Sequence, residues 1–150
     1  MTVYYFDTSA LAKLYHEELN TFTVEEIFSN EENQIIISEI AYIELYSALY
    51  RLRRMNQISE DALNTAIAGF EDDCAYRFTI QAVASQNIKQ AKEIIKRYGH
   101  NKSIRTLDAL QLSTSLGRAD NLVFVCVDTL LAELAKNEKM EVLDLGQQKF

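Results

Sequence analysis

Short apolar segments alternate with segments of helical periodicity along most of the chain. Strands are predicted at residues 3–6, 34–37, 77–80, 122–127 and 141–145. Helices are predicted from Thr8, at 21–29, 39–55, 59–75 and 82–98, and again from residues 106 and 129. This alternation predicts an α/β fold with a mostly parallel central sheet of about five strands and helices on both faces. The segment 122–127 is apolar throughout, as in a central parallel strand.

Helix ends and helix faces can also be assigned from residue types. Ser38 and Ser59 are predicted N-caps, and Gly99 is predicted to end the helix at 82–98. That helix is expected to turn its apolar residues inward, namely Ile88, Ala91, Ile94 and Ile95. Residues 146–150 are expected to form a tail.

Two of the predicted strands end at an aspartate that a helix follows at once, Asp7 and Asp128. Right-handed crossovers place the carboxyl ends of parallel strands at one edge of the sheet, where α/β folds bind ligands. Asp108 opens the helix that leads into the strand before Asp128. Glu44 lies about a turn and a half into the helix that follows the second strand. All four carboxylates are therefore expected to point into one cleft.

Each of these acids also has an ordinary structural interpretation. Asp7 would be a favoured N-cap, and Asp108 would complement a helix dipole. Glu44 would pair with Arg51 or reach solvent. These alternatives stay open for each residue taken alone, but their common position at one sheet edge favours a shared site.

A cleft lined by four carboxylates needs a counter-charge. Two carboxylates about 4–5 Å apart repel each other by roughly 3–4 kcal/mol at an effective dielectric constant near 20. Either some of the groups stay protonated or a divalent cation neutralises them. Oxygen-only ligands suit Mg²⁺ or Mn²⁺, and a carboxylate-held Mg²⁺ favours phosphate chemistry.

Composition bounds the class of protein. The 150 residues fit a single domain, 1–150, and the net charge of −7 argues against broad nonspecific binding of nucleic acid while leaving room for a positively charged partner. No apolar run is long enough for a membrane span, and no secretory signal is evident, so a cytoplasmic protein without a membrane partner is expected. The two cysteines, Cys74 and Cys126, form no CxxC motif, which suggests a reducing compartment. Scattered glycines and only two histidines exclude a dinucleotide or P-loop motif and give a zinc cluster or a Ser-His-Asp triad little to build on.

Four segments carry a resemblance to a known family. They are VYYFDTSALAKLY with Asp7, SEIAYIELYSAL with Glu44, SIRTLDALQLS with Asp108, and LVFVCVDTLLAEL with Asp128. No single segment is specific, but the ordered set, its spacing and the total length resemble a PIN-domain nuclease over essentially the whole chain. The resemblance is strongest to the VapC-like toxins of type II toxin–antitoxin pairs.

The resemblance implies a PIN-like three-layer fold and an endoribonuclease, a hydrolase that needs Mg²⁺ or Mn²⁺ to cut single-stranded RNA and leaves 5′-phosphate and 3′-hydroxyl ends. It implies a homodimer and a cognate antitoxin whose C-terminal segment blocks the cleft. By this resemblance Asp7, Glu44, Asp108 and Asp128 are the catalytic and metal-binding acids.

The resemblance also gives roles to two smaller residues. Ser9 would orient Asp7 or a substrate phosphate, and ordinary hydrogen bonding at a helix N-terminus is the alternative. Many relatives carry Ser or Thr two residues before the fourth acid, where this chain has Cys126. A thiol is a weaker hydrogen-bond partner than a hydroxyl, which puts the support of Asp128 in question.

Three other functions compete with a ribonuclease. A catalytically silent PIN-like module would bind RNA or protein, although the intact acids count against it. A phosphoacceptor domain resembling a receiver needs an acid pair after the first strand and a lysine at a late strand end, and Phe6-Asp7-Thr8 and Val127-Asp128-Thr129 do not supply them. A DNA nuclease would use the same chemistry, because no residue obviously reads the 2′-hydroxyl group.

Overall fold

The computed structural model describes residues 1–117 and 121–146. The helices and strands within these residues, in chain order, are β1 (Val3–Phe6), α1 (Thr8–Ala12), α2 (Thr21–Ser29), β2 (Gln34–Ser38), α3 (Glu39–Arg54), α4 (Glu60–Tyr76), β3 (Thr79–Gln81), α5 (Ser85–Tyr98), α6 (Thr106–Leu116), β4 (Leu122–Cys126), α7 (Thr129–Asn137) and β5 (Glu141–Asp144). The predicted tail beyond Gly146 lies outside the described residues. No helix in the described parts of the chain is long and apolar enough to cross a membrane.

The five strands form one parallel sheet in the order β3-β2-β1-β4-β5. β1 is central, with Tyr5 opposite Ile36 of β2 and Phe124 of β4. The backbone N–H of Asp7 continues this ladder with a hydrogen bond to the Val125 carbonyl oxygen (3.1 Å). All five strands run in the same direction, so their carboxyl ends share one edge of the sheet, as predicted.

The side chains of the central strands alternate between two apolar cores. Phe6 and Ile37 point to one face, where they pack with apolar residues of α1, α3 and α4. Tyr5 and Phe124 point to the other, where they pack with apolar residues of α5, α6 and α7. Burying each such large side chain contributes about 1.5–3 kcal/mol. The predicted three-layer α/β fold, with helices on both faces of the sheet, is confirmed.

Most predicted helix ends are confirmed. The Ser38 and Ser59 hydroxyl oxygens accept N-cap hydrogen bonds from the backbone N–H groups of Ile40 (3.1 Å) and Ala62 (3.0 Å). Gly99 caps the C-terminus of α5. The weak third strand was predicted at 77–80 but spans Thr79–Gln81, because the Arg77 N–H still closes the last turn of α4.

The prediction for the inward face of α5 is partly wrong. Ala91 and Ile94 are buried, but Ile88 is 58% exposed and Ile95 is 36% exposed. Asn87 is buried instead, since its side-chain oxygen accepts a hydrogen bond from the Ala84 N–H (2.9 Å) and its amide nitrogen donates to the Ser113 carbonyl oxygen (3.3 Å). The predicted helix also began too early, at residue 82 rather than at Ser85.

Candidate active site

A cleft of about 620 Å³ opens at the carboxyl edge of the sheet. Residues that follow β1 form part of its wall, and α3, α6 and the start of α7 form the rest. The four acids predicted from the sequence all line it: Asp7, Glu44, Asp108 and Asp128. The structure therefore brings together carboxylates that are separated by up to 121 residues in the sequence.

Asp7 is the most deeply placed of these acids, with 5% of its surface exposed. It is also the N-cap of α1, as its alternative interpretation required. Its Oδ1 atom accepts hydrogen bonds from the Ser9 hydroxyl (2.7 Å) and from the Ala10 N–H (2.9 Å). Among the described residues Oδ2 accepts no hydrogen bond, so one oxygen holds the helix end while the other is available to a ligand. The cap and the cleft position do not exclude each other.

Burial raises the pKa of the Asp7 carboxyl group from 3.8 to about 7. Loss of hydration is the largest cause, and the negative charges of Glu44 and Asp108 raise the pKa further. The hydrogen bonds from Ser9 and Ala10 act in the opposite direction, because they stabilise the ionised form. A cation that entered the cleft would favour ionisation of this group.

Ser9 connects the ends of two neighbouring strands. Its hydroxyl donates to Asp7, which follows β1, and accepts a hydrogen bond from the backbone N–H of Val127, which follows β4 (3.1 Å). This contact fixes the side chain of Asp7 relative to the end of β4. The functional role expected for Ser9, orientation of Asp7 during catalysis, stays a prediction.

Neither alternative interpretation of Glu44 holds. Among the described residues it forms no ion pair with Arg51, and its carboxylate does not simply extend into solvent. Its Oε1 atom accepts hydrogen bonds from the Thr8 hydroxyl (2.9 Å) and from the side-chain amide of Gln111 (3.0 Å). The same amide nitrogen lies 3.2 Å from the Thr8 hydroxyl oxygen, and Gln111 Oε1 accepts a hydrogen bond from the Tyr5 hydroxyl (2.6 Å). The Glu44 carboxylate is thus held by neutral donors on α1 and α6.

Thr8 and Gln111 are site residues that the sequence reasoning missed. Gln111 is 4% exposed, although glutamine is usually a surface residue. One signal was present, since Gln111 follows Asp108 by three residues in α6 and therefore shares its helix face. Thr8 follows Asp7 directly and lines the same cleft.

Asp108 and Asp128 both lie at helix N-termini. Asp108 is in the first turn of α6, where its Oδ2 atom lies 3.4 Å from the backbone nitrogen of Arg105. Partial burial raises the pKa of Asp108 and the charge of Asp128 adds to this effect, while Arg105 opposes it. Asp128 is the N-cap of α7 and accepts a hydrogen bond from the Leu131 N–H (2.9 Å).

Cys126 does not support the Asp128 carboxylate. Its sulfur is buried and lies 3.7 Å from the backbone carbonyl oxygen of Asp128, not from the side chain. The Leu131 N–H holds the carboxylate instead.

The side chains that line the cleft can be compared with the ligands that a divalent cation requires. Within residues 1–117 and 121–146, no three His, Cys, Asp or Glu side chains lie close enough together to hold a metal ion. Mg²⁺, however, usually keeps several waters and binds one or two protein carboxylates. The carboxylate oxygens that line the cleft fit such an ion in donor chemistry, and Asp7 Oδ2 is the oxygen of its carboxylate that accepts no hydrogen bond among the described residues.

Comparison with known proteins identifies the family. The PIN domain profile matches residues 4–137.

The chain belongs to the PIN domain family.

The solved structures similar to this PIN domain include toxin–antitoxin proteins. VapBC2 from Rickettsia felis, solved with a promoter DNA fragment, matches 95% of this chain and 98% of its own at 16% identity and a TM-score of 0.66. VapC20 from Mycobacterium tuberculosis, described as a toxin that cleaves the sarcin–ricin loop, matches 87% of this chain and 93% of its own at 16% identity and a TM-score of 0.65. FitAcB from Neisseria gonorrhoeae matches 97% of this chain and 99% of its own at 18% identity and a TM-score of 0.66.

At these identities the similarity establishes the PIN fold. The resemblance to the PIN domain and to VapC-like proteins, expected from the sequence, is confirmed. No curated protein matched this chain.

Proposed function

We propose that this PIN-domain protein is a Mg²⁺- or Mn²⁺-dependent endoribonuclease and the cytoplasmic toxin of a toxin–antitoxin pair. The observation that carries the proposal is the convergence of four carboxylates on one cleft, with Asp7 buried at its base. Buried acids with raised pKa values are typical of functional sites. The similarity to VapC20, described as a toxin that cleaves the sarcin–ricin loop, supports RNA as the substrate.

In this proposal Asp7 and Asp108 are the principal cation ligands. Glu44 completes the ligand set or positions the attacking water, and Asp128 binds directly or through a water molecule. When bound, the cation supplies positive charge that activates water and stabilises the leaving oxygen of the phosphodiester.

The surrounding residues keep these acids in position. Ser9 and Ala10 hold Oδ1 of Asp7, and Oδ2 accepts no hydrogen bond among the described residues and is available to a cation. Thr8 and Gln111 fix one oxygen of Glu44. Arg51 is the one cationic side chain that lines the cleft among the described residues, and it would bind a substrate phosphate next to the acids.

A cognate antitoxin and a homodimer belong to the same proposal. The Rickettsia felis and Salmonella typhimurium relatives were solved as VapBC proteins bound to DNA, which supports a partner of the VapB type. An acidic cleft would accept a basic C-terminal segment of such an antitoxin. Addition of the antitoxin should therefore inhibit cleavage, and light scattering of the free toxin should give the mass of a dimer.

The decisive experiment is a cleavage assay with purified protein. A panel of tRNA, rRNA fragments and sequence-matched DNA is incubated with Mg²⁺, with Mn²⁺ or with EDTA. Asp7→Asn should abolish cutting, whereas Asp72→Asn on the exposed surface of α4 should not change it. Cleavage that survives in EDTA, or in the Asp7→Asn variant, would contradict the proposed mechanism. Faster cutting of DNA than of RNA would contradict the proposed substrate.

A second candidate function is a catalytically silent module that binds RNA or protein. It is favoured by one observation: no three potential ligands lie close together among the described residues. Titration calorimetry with Mn²⁺ separates the two candidates. A catalytic domain should bind the ion and lose that binding in Asp7→Asn, whereas a silent module should release no heat with either protein.

A further inference from the structure

Positive charge is concentrated in one part of this acidic chain. Residues 85–105 carry six Lys and Arg and a single Glu, whereas the rest of the chain carries nine Lys and Arg and 21 Asp and Glu. This basic segment consists of α5 and the connection to α6. Arg97 and Lys102 form ion pairs with Glu138 and Glu133, so the uncompensated positive charge of this segment lies on its remaining cations.

Three lysines of α5 share one exposed helix face. Lys89, Lys92 and Lys96 are spaced by three and four residues, so their side chains project from the same side and span roughly 10 Å along the axis. Glu93 Oε1 is their ion-pair partner within the described residues, at 3.6 Å from Lys92 and 3.9 Å from Lys96. Lys89 has no ion pair there, so the face keeps a net positive charge.

The basic segment connects to the cleft along the chain. Lys89 and Lys92 lie beside Leu116 and Glu138, where α6 and α7 end, and the cleft lies at the N-terminal ends of the same two helices. The basic segment ends at Arg105, which is exposed and whose backbone nitrogen lies 3.4 Å from Oδ2 of the cleft residue Asp108. Arg51 on α3 lines the same cleft. A polyanion that reached the acids would thus meet a cation on α3 and a second one at the start of α6.

We propose that Lys89, Lys92 and Lys96 form a binding surface for the backbone of single-stranded RNA outside the cleft, here called the α5 surface. The inference rests on the proposed ribonuclease function and adds to it a second contact that only a long substrate can reach. Lysines bind phosphates as point charges and read no bases. The α5 surface therefore raises affinity for long RNA, whatever its sequence, and leaves the reacting phosphate to the cleft.

Binding can be measured separately from cutting. All proteins carry Asp7→Asn so that RNA stays intact, and the probes are fluorescein-labelled uridine oligomers of five and twenty nucleotides. The test variant neutralises the α5 surface with Lys89→Gln, Lys92→Gln and Lys96→Gln. The control makes the same change in net charge on the exposed side of α4 with Thr65→Glu, Ala68→Glu and Ala75→Glu.

The test variant should bind the 20-mer at least tenfold more weakly and the 5-mer less than twofold more weakly. The slope of log Kd against log salt for the 20-mer should fall by about 2, because three phosphate contacts contribute about 0.7 each. The control should change neither affinity by more than about threefold, and circular dichroism should be the same for all three proteins.

Other results would overturn the α5 surface. If the control variant bound the 20-mer as weakly as the test variant, the effect would come from overall charge and not from the α5 surface. If the test variant lost the same affinity for both oligomers, the lysines would contact RNA within the cleft. No binding of the 20-mer by the parent protein would also refute it. The proposed nuclease is judged separately by cleavage with intact Asp7, so cutting without any effect of the lysines would refute the α5 surface and leave the enzyme standing.

Discussion

The carboxyl group of Asp7 both caps a helix and faces the cleft, and its burial makes the ionised form costly. With a pKa of about 7 in the folded protein against 3.8 for the ordinary group, Asp7 keeps its proton in the folded chain at pH values where the unfolded chain has lost it. The unfolded state therefore binds fewer protons between about pH 4 and 7, and the stability of the metal-free protein falls as pH rises through this window. Above pH 7 the loss is complete.

Replacing Asp7 by asparagine should remove this cost while keeping an acceptor for Ser9 and Ala10. In EDTA at pH 8 the Asp7→Asn variant should exceed the wild type in free energy of unfolding by an amount on the order of 2–4 kcal/mol. At pH 4 the two proteins should differ little. Urea denaturation at both pH values measures this, with Asp72→Asn as the control, and a variant that is less stable at pH 8 would contradict it.

Gln111 links the buried Tyr5 hydroxyl to the Glu44 carboxylate. Gln111→Leu should lower the free energy of unfolding by about 1–3 kcal/mol, because it leaves buried polar groups without partners. Tyr5→Phe should cost about 1 kcal/mol on the same grounds. The double variant should lose less free energy of unfolding than the two single variants added together, because each single variant removes the same hydrogen bond between Tyr5 and Gln111. Strict additivity in urea denaturation would show that the two side chains are not coupled.

The four acids and Ser9, which contacts Asp7, could be predicted from the sequence, but the partners of Glu44 could not. Asp7 and Asp128 each follow an apolar strand, which is a local signal. The contact of Gln111 with Glu44 joins residues 67 positions apart and depends on how α3 and α6 approach each other. From its own helix alone, Glu44 was expected to pair with Arg51 or to reach solvent. Its actual partners, Thr8 and Gln111, lie on other helices.

A glycine inside one helix and a glycine at the end of another differ in the space around them. A Cβ atom at Gly69, inside α4, would approach no side-chain atom closer than 3.9 Å, at Tyr15. At Gly99, the C-cap of α5, it would lie 2.5 Å from the Ile95 carbonyl oxygen. The first position tolerates a side chain and the second requires its absence.

Gly69→Ala should therefore stabilise the protein by about 0.5–1 kcal/mol, since alanine loses less conformational freedom in a helix. Gly99→Ala should destabilise it by about 1–3 kcal/mol, because a backbone atom must move. Thermal unfolding of the two variants beside the wild type tests both expectations. Shifts of the same sign would contradict this account of the local packing.

Helix boundaries were more predictable than the faces that helices bury. Ser38, Ser59 and Gly99 mark ends through hydrogen bonds within a few residues, so local sequence carries the signal. The inward face of α5 depends on α6, against which Asn87 forms a hydrogen bond to Ser113. That contact turns Ile88 outward, and no property of residue 88 indicates it.

The order of the strands was also beyond the sequence. Alternation of strands and helices predicted a parallel sheet, but the place of each strand depends on which face every helix covers. The observed order β3-β2-β1-β4-β5 puts β1 between β2 and β4 and gives each face its own apolar core. The two cores lie on opposite faces of the same hydrogen-bonded sheet, so neither is expected to persist without the other.

Calorimetry should accordingly find one unfolding transition, with the van't Hoff enthalpy equal to the calorimetric enthalpy at fixed subunit number. The expected single domain spanning 1–150 makes the same prediction. Scans at several protein concentrations account for the proposed dimer, whose melting temperature should rise with concentration. Two separated heat-absorption peaks would contradict a single cooperative unit.

The separation of charge between α5 and the rest of the chain gives the molecule an electric dipole. The electric field of a charged surface therefore orients the protein before the two come into contact. The same preparation should therefore bind an anion-exchange resin through its acidic side and a heparin resin through α5. The isoelectric point of about 4.8, taken alone, would predict no binding to heparin.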